Sequence, residues 1–573
     1  MYKLSSKKLF KPFSNQINPN QYLHFIKKIL NPEREIFICA IIYGIVISIL
    51  GLATPICVQL LINSAVYTAI LQPIFVLGII LLILVSLLSL ASILQFHITE
   101  IFQRRFFARM SYEISMTLLD ANHKNFEESN QTELVNRFFE TVTIQKTIPK
   151  LLSKTFTIIL QSITGLILIA FYHPFFLIFS LGIPLCIFLI WKNFAPQAIT
   201  YQFNESRRKY DLVGWLEDIA RNHLLFKSQI GREYGKYKIN FLTGLYLEDR
   251  KNHYRNLIIQ VILLFVLFAT ATTLLLILGG WLILKESLSI GQLVACELII
   301  SAILYNVTNL GRDFENFYDL ISSSEKLSQF QNIPHEKILG KNVIENIEQI
   351  RFQNILYQHR NSKYRFDLCF NKDENYLLLT NGYSTKKIII EMFLGLIKPI
   401  SGSVLYNNIS IENFDYYQLR SQIALIDNSA LIEGTLGEYL TFNQEKISEN
   451  YVMLVLDNVG LMDIIIEFNE GLDLRILPSG WPFSESEKIL LKVARALINK
   501  AQVIIADEVL DMLETKIRKK ILKYLTLEHQ GMFIYFSHRY DDLENFKNKI
   551  FIEKDFSCEI ENSNDLTRFI GDK

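Results

Sequence analysis

Charge is absent over stretches where a soluble chain would carry it. No Asp, Glu, Lys or Arg occurs between Glu35 and Glu100, and none from Thr155 to Trp191. With 50% hydrophobic residues and a mean hydropathy of +0.22, a wholly soluble globular chain is disfavoured. A strong charge of either sign is also missing: 58 basic residues offset 57 acidic ones, so no global field points to nucleic acid as a partner. Cysteine is sparse. The six (Cys39, Cys57, Cys186, Cys296, Cys369, Cys558) are scattered without a CxxC pair, which supports neither a disulfide framework nor a zinc site. The first residues carry Lys3, Lys7, Lys8 and Lys11 but no apolar core or small-residue cleavage site, so a cytoplasmic, uncleaved start is expected.

The charge-free runs organise the first half. One membrane crossing takes about 20 apolar residues. The run after Glu35 suits two, over 36–62 and 73–96; the run from Thr155 suits a hairpin of two more, divided at His173-Pro174. A fifth is expected from Asn256 to Leu284, and a sixth from Ser289 to Leu310, interrupted only by Glu297. The connections at 63–72 and near His173 lack basic residues, whereas 101–154 and 192–255 are rich in Lys and Arg. By the positive-inside rule the long connections and both termini face the cytoplasm, and they read as helical extensions of the membrane segments. Tyr22, Phe25, Ile26 and Ile29 follow a helical apolar spacing beside Lys27 and Lys28. This predicts a short amphipathic helix, lying either on the membrane surface or on protein.

The expected division is a cytoplasmic segment over 1–34, a transmembrane domain over 35–325, a polar linker over 326–345 and an α/β domain over 346–573. In the last, short apolar strands such as Tyr376–Leu379, Ile423–Ile426, Val503–Ala506 and Phe533–Phe536 alternate with helical patterns, the signature of a largely parallel core sheet. Three features there carry chemistry. The apolar run 501–506 ends in Asp507-Glu508; a helix containing Ala494-Arg495-Ala496-Leu497 runs into it; and a second apolar run ends at Ser537-His538-Arg539. Adjacent carboxylates at a strand end suit the magnesium shell and the attacking water of a phosphate-transferring site.

This order of motifs resembles the ATP-binding cassette of ABC transporters, and the six-helix pattern before it is similar to the exporter-type half-transporter. The run from Leu278-Gly279-Gly280-Trp281 to Gly291-Gln292 resembles the junction of the fifth and sixth exporter helices; Gly395, Ser401-Gly402 and Glu433-Gly434-Thr435 fall where cassette segments expect them. The implied fold is an all-α polytopic transmembrane domain followed by an α/β P-loop-type nucleotide-binding domain. The resemblance implies Asp507 as the magnesium carboxylate, Glu508 as general base, His538 as the switch histidine and Lys386 as the phosphate-loop lysine. His359, or neighbouring Tyr357, would stack on adenine. Asp427 or Asn428 stands where a glutamine is usual, and Glu514 replaces an aspartate. The implied cofactors are ATP and Mg2+. The implied setting is a bacterial inner membrane, with a second half-transporter as partner, an exported substrate of unknown identity, and coupling through loop ends near 125–132 and 212–216.

Several positions depart from the pattern. A phosphate loop wants glycine at both ends and a lysine followed by a hydroxyl; this chain reads Thr380-Asn381-Gly382-Tyr383-Ser384-Thr385-Lys386-Lys387. A β-branched residue held in a glycine conformation costs roughly 1–3 kcal/mol, so Thr380 and Thr385 are expected to strain the loop. Lys387 stands where a hydroxyl would ligate magnesium. The signature segment reads Phe483-Ser484-Glu485-Ser486-Glu487: Ser484 keeps a hydroxyl for the partner's nucleotide, while Glu485 is expected to repel it. The cassette is thus expected either to drive export or to serve as an impaired half, beside an active subunit or as a regulatory membrane scaffold. In the membrane, Glu297, Ser301, Tyr305 and Asn309 form a polar stripe suited to a substrate path or to the outer interface, since an intramembrane ionisable residue tends to face a cavity or partner.

Overall fold

The computed structural model describes residues 19–67, 71–124, 131–336, 340–360, 362–380, 382–444, 446–539, 542–553 and 556–559. The chain divides into two compact units, residues 1–335 and 336–573.

The first unit is helical. Its longest members are Leu71–Leu119, Leu177–Arg221, Gln229–Leu284 and Ile290–Gln331. At about 1.5 Å per residue, the 49-residue Leu71–Leu119 helix spans roughly 74 Å, over twice the ~30 Å hydrocarbon core. Such helices therefore continue well beyond a bilayer, as the basic connections predict. Among the described residues, five helices are long and apolar enough to cross a membrane. The sixth expected crossing is a shorter apolar stretch, Ile290–Ile303, at the start of the last long helix. The first crossing is two helices, Arg34–Leu50 and Ala53–Tyr67. Pro55 explains the break, since its ring clashes with the carbonyl four residues earlier. The hairpin turns at His173, whose Nδ1 accepts from the Phe175 amide at 3.3 Å.

Buried polar contacts tie the charged ends of these helices together. Glu140 accepts from Lys209 Nζ at 2.9 Å, Tyr210 Oη at 2.6 Å and Ser323 Oγ at 2.6 Å. Glu205 meets Arg250 at 3.1 Å and His253 Nδ1 at 2.8 Å. A buried carboxylate persists only with such partners.

One open expectation is decided and two change. Phe25, Ile26 and Ile29 are buried in a cluster with Phe102, Phe106, Leu327 and Phe330, so the short helix Pro19–Leu30 packs on protein; periodicity alone cannot say which apolar surface a helix covers. The segment read as a linker from 326 begins inside a helix that runs to Gln331, because Leu327 and Phe330 sit in that same cluster. Residues 212–216 lie within the Leu177–Arg221 helix, and the turn that follows occupies 222–228; of the other expected loop end, 125–130 lie outside the described residues.

The second unit holds a six-stranded sheet in the order β12-β11-β3-β10-β9-β6. These strands are β3 Asn375–Thr380, β6 Ile423–Ile426, β9 Val503–Asp507, β10 Met532–Phe536, β11 Asn548–Glu553 and the antiparallel edge strand β12 Phe556–Glu559. The other five are parallel. Both faces are covered, which is why these strands read as continuous apolar runs. Val503, Ile505, Ile534 and Phe536 face one core with Phe352, Phe370 and Phe393. Ile504, Ala506, Phe533 and Tyr535 face the other, with Leu490, Leu491 and Leu522. An antiparallel sheet of β1 (Gln349–His359), β2 (Ser362–Asn371), β4 (Ser401–Tyr406) and β5 (Ile409–Ser410) completes the unit's main frame.

Candidate functional site

Parallel strands end together, and ligands of open α/β sheets bind beyond their carboxyl ends. Register fixes what meets there. Ile426 pairs with Ala506, and Phe536 with Asp507 and Leu378. Asp427, Asp507-Glu508, Ser537-His538 and Thr380 therefore leave neighbouring strands at one edge. The backbone turns sharply after β9: Glu508 has φ +54, a strained conformation of the kind that clusters at functional sites. Its amide donates to the Phe536 carbonyl at 3.0 Å.

Lys386 closes the cluster. Its Nζ lies 2.6 Å from Asp507 Oδ1 and 2.8 Å from Glu508 Oε2, with its side chain only 3% exposed. Burial pulls the ammonium pKa down, but hydrogen bonds and charge from Asp507 and Glu508 outweigh it and hold it above the ordinary lysine value. Asp507 is pushed up, first by burial and against the pull of Lys386, with Glu508 and Asp427 adding negative charge. His538 Nε2 stands 2.8 Å from the other Glu508 oxygen. The structure thus gathers Lys386, Asp507, Glu508 and His538, as the motifs imply.

The phosphate-loop strain is not present. Thr380 ends β3, and Thr385 lies inside the helix Tyr383–Phe393, 99% buried; neither has positive φ. Among the described residues of the loop, only Gly382 does, at +114, with open space where a Cβ would stand. The chain meets the missing glycines by starting the helix directly after Gly382, where threonine is tolerated. Among the described residues, no side chain caps that start, and no acidic residue lies in its first turn. Uncapped amides and the helix dipole make such a start a fit for phosphate. Ser384, Lys386 and Lys387 fall in its first turns. Lys387 Nζ is 3.7 Å from Glu391 on the same helix. Tyr357 is near enough for Glu391 to act on it: burial, then that charge, raises its phenol. His359 ends β1 opposite Ser362.

The helix Glu485–Ile498 begins differently. Ser484 Oγ accepts from the Glu487 amide at 3.4 Å, and the Ser484 amide donates to Glu487 Oε2 at 2.8 Å, a reciprocal capping box. Glu485 is 78% exposed and pairs with Lys488 at 2.8 Å. The expected unbalanced negative charge is therefore partly compensated within the helix.

Asp427 is occupied too. Its Oδ1 accepts from Ser429 Oγ at 2.6 Å, and buried Lys492 donates to its carbonyl at 2.7 Å and to the Ser429 carbonyl. Lys492 was not foreseen. A lone cation in the apolar run Leu490-Leu491-Lys492-Val493 was the available signal. Asp511 also went unseen: it accepts from Tyr535 Oη, from Ser537 Oγ at 2.8 Å and from the His538 amide at 3.1 Å, so it sets the histidine's backbone. Glu514 caps the next helix position without a side-chain hydrogen bond. In the first unit, Ser301 Oγ donates to Glu297 Oε1 at 3.0 Å and Tyr305 is 70% exposed; the Asn309 side chain lies outside the described residues.

The residues fit nucleotide phosphate better than magnesium. Lys387 stands where the resemblance expects a hydroxyl that would ligate magnesium, and an ammonium there would repel a divalent cation. Lys386 already bridges both strand-end carboxylates.

Comparison with known proteins agrees with this layout. The family profile of the ABC transporter transmembrane region matches residues 37–307, and that of the ABC transporter domain matches 365–511. The chain is 24% identical over 307 residues to a leukotoxin translocation ATP-binding protein of Mannheimia glucosida, covering 51% of this chain and 43% of that one. It is 23% identical over 424 residues to a lactococcin-A transport/processing ATP-binding protein of Lactococcus lactis, covering 72% and 59%. The matched stretch thus spans about half the length of these relatives. A solved structure of a bacterial Atm1-family ABC exporter with ATP bound superposes with a TM-score of 0.78 at 16% identity, over 94% of this chain and 96% of that one.

Proposed function

This chain belongs to the ABC transporters as an exporter-type half-transporter, and from that premise we propose that it works in a dimer, its cassette binding nucleotide to drive alternating access of the membrane helices. The carrying observation is the convergence of Lys386, Asp507, Glu508 and His538 at one sheet edge within 2.6–2.8 Å contacts. In this reading the amides at the start of the Tyr383–Phe393 helix receive the phosphates. Glu508, held by His538, orients the attacking water. Tyr357 is the better placed adenine platform, since it lies near the helix that carries Lys387. The substrate path follows Glu297, Ser301 and Tyr305. The relatives' names speak of toxin and bacteriocin translocation; by that likeness, a secreted peptide or protein is the proposed substrate class, and a bacterial inner membrane with cytoplasmic termini the proposed setting.

A second reading has its own support. Lys386 bridges the very carboxylates that hydrolysis needs, and the Ser484 helix start is already capped by Glu487. Under that reading this chain is a nucleotide-holding half beside a hydrolysing partner. ATP turnover of the purified, lipid-reconstituted protein separates the two. Turnover abolished by Glu508→Gln and by Lys386→Ala supports the hydrolysing dimer. Wild-type turnover no higher than that of the variants rejects it in favour of the partnered half.

A further inference from the structure

In the helical unit, the helices Glu140–Pro149, Leu177–Arg221, Gln229–Leu284 and Ile290–Gln331 line a polar cavity of about 240 Å³ with their charged extensions. Four carboxylates, Glu140, Glu205, Glu315 and Asp319, face two cations, Lys209 and Arg250. Both cations are engaged. Lys209 Nζ lies 2.9 Å from Glu140 and over the Tyr210 ring, while Arg250 spans Glu205 at 3.1 Å and Glu315 at 3.4 Å. Asp319 is left over. It accepts from Gln202 Nε2 at 2.5 Å, and among the described residues no cation forms an ion pair with it. Two more groups of the cavity wall are buried without a hydrogen-bond partner among the described residues: the Oε1 of Gln202, a residue 7% exposed, and the Oγ of Ser322, a residue 3% exposed. Glu315, Asp319 and Ser322 share one helix face, at spacings of four and three. Buried polar atoms are seldom left unmatched, and a carboxylate, an amide oxygen and a hydroxyl left together call for a donor that carries positive charge.

We infer that this cavity binds a primary ammonium group, carried by a small amine or by the lysine side chain of an exported peptide. The second source rests on the export reading above; the first does not. An ammonium brings three donors and one charge, to which Asp319, Gln202 Oε1 and Ser322 Oγ answer with three acceptors and the opposite charge. The volume, against roughly 30 Å³ for a water molecule, holds the group together with its neighbouring methylenes. The electrostatics agree with the geometry. Burial first, then Glu315 and Glu205, push Asp319 up to about 6, against the pull of His253 and Lys209; Glu140 and Arg250 face the same space, already paired with other groups. A bound ammonium stabilises the ionised carboxylate, so amine binding and loss of the Asp319 proton favour each other.

The test is isothermal titration calorimetry of the full-length protein in phosphatidylcholine nanodiscs, with n-butylamine, N-acetyl-lysine amide, calcium chloride and, as the uncharged control, 1-butanol. At about pH 7.5, n-butylamine should bind saturably at one site per chain and 1-butanol should not. Asp319→Asn should weaken the amine about tenfold and Ser322→Ala about threefold. Lowering the pH to about 5 should weaken it about tenfold in the wild type and not in Asp319→Asn. N-acetyl-lysine amide binding as well as the amine supports the site with a peptide source; n-butylamine binding alone supports it with a small amine as ligand and removes the peptide source. No saturable amine binding, an unchanged affinity in Asp319→Asn, or displacement of the amine by calcium overturns the inference. The comparison of amine with alcohol on the wild type stands even if the variants fail to fold.

Discussion

Two helices of the cassette carry the altered motifs in their first turns, and they are finished in opposite ways. The Tyr383–Phe393 helix opens on Gly382 with, among the described residues, no side-chain cap and no acidic residue in its first turn, and it places Lys386 and Lys387 at its start. The Glu485–Ile498 helix opens on Ser484 in a closed capping box, with Glu485 and Glu487 in its first turn. Both starts bear the partial positive charge of a helix N-terminus. One leaves it available to an outside anion, and the other satisfies it with its own carboxylates. Motif deviation is therefore not uniform damage. The first helix has lost glycines without acquiring positive φ at the threonines that replace them, while the second has kept its serine but engaged it.

The contrast is broken most severely by removing Lys386. Lys386→Ala leaves Asp507 and Glu508 facing each other beside Asp427, half-buried and unneutralised. The expected cost is about 3 kcal/mol, read as a lower melting temperature, together with loss of nucleotide binding. Asp511→Asn comes next. It weakens the acceptor for Tyr535, Ser537 and the His538 amide, and should cost about 2 kcal/mol in thermal or denaturant unfolding while displacing the histidine. Opening the second helix start sharpens the comparison. Ser484→Ala should cost about 1 kcal/mol of cassette stability, whereas Glu485→Gln with Glu487→Ala should strengthen ATP-dependent association of two cassettes, read by crosslinking or light scattering. Unchanged association in the double variant would mean that the capping box does not keep nucleotide away.

The smallest effect concerns pH. Lys386 is held above its ordinary value, so its contribution is fully present below the unfolded lysine value near 10.5 and is lost as pH rises through the folded one. With respect to this group, the cassette's melting temperature should stay level between about pH 7 and 9. A fall across that window which Lys386→Ala abolishes would show the bridge to be weaker than its geometry implies.

Much of this was legible in the chain. Charge-free runs located the membrane segments because a bilayer excludes charge over a known thickness. Continuous apolar runs marked strands buried on both faces, and Asp507-Glu508 and Ser537-His538 marked where two of them end. Other features were not legible, because they depend on what lies across space. The short N-terminal helix covers protein, which its periodicity could not specify. Asp511 and Lys492 act on residues 26 and 63 positions away. A lone lysine in an apolar run hints that Lys492 is paired, but neither residue's identity says with what.

The amino-acid sequence by itself determined the architecture: apolar length and charge asymmetry lay down a helical membrane unit, and strand–helix alternation lays down the α/β unit. These follow from local composition and from the free energy of moving residues out of water. Tertiary structure alone decided the electrostatics of the site. Which ammonium neutralises which carboxylate, whether a threonine is strained and whether a helix start is open all depend on strand register and on backbone angles, and neither is encoded in any single motif.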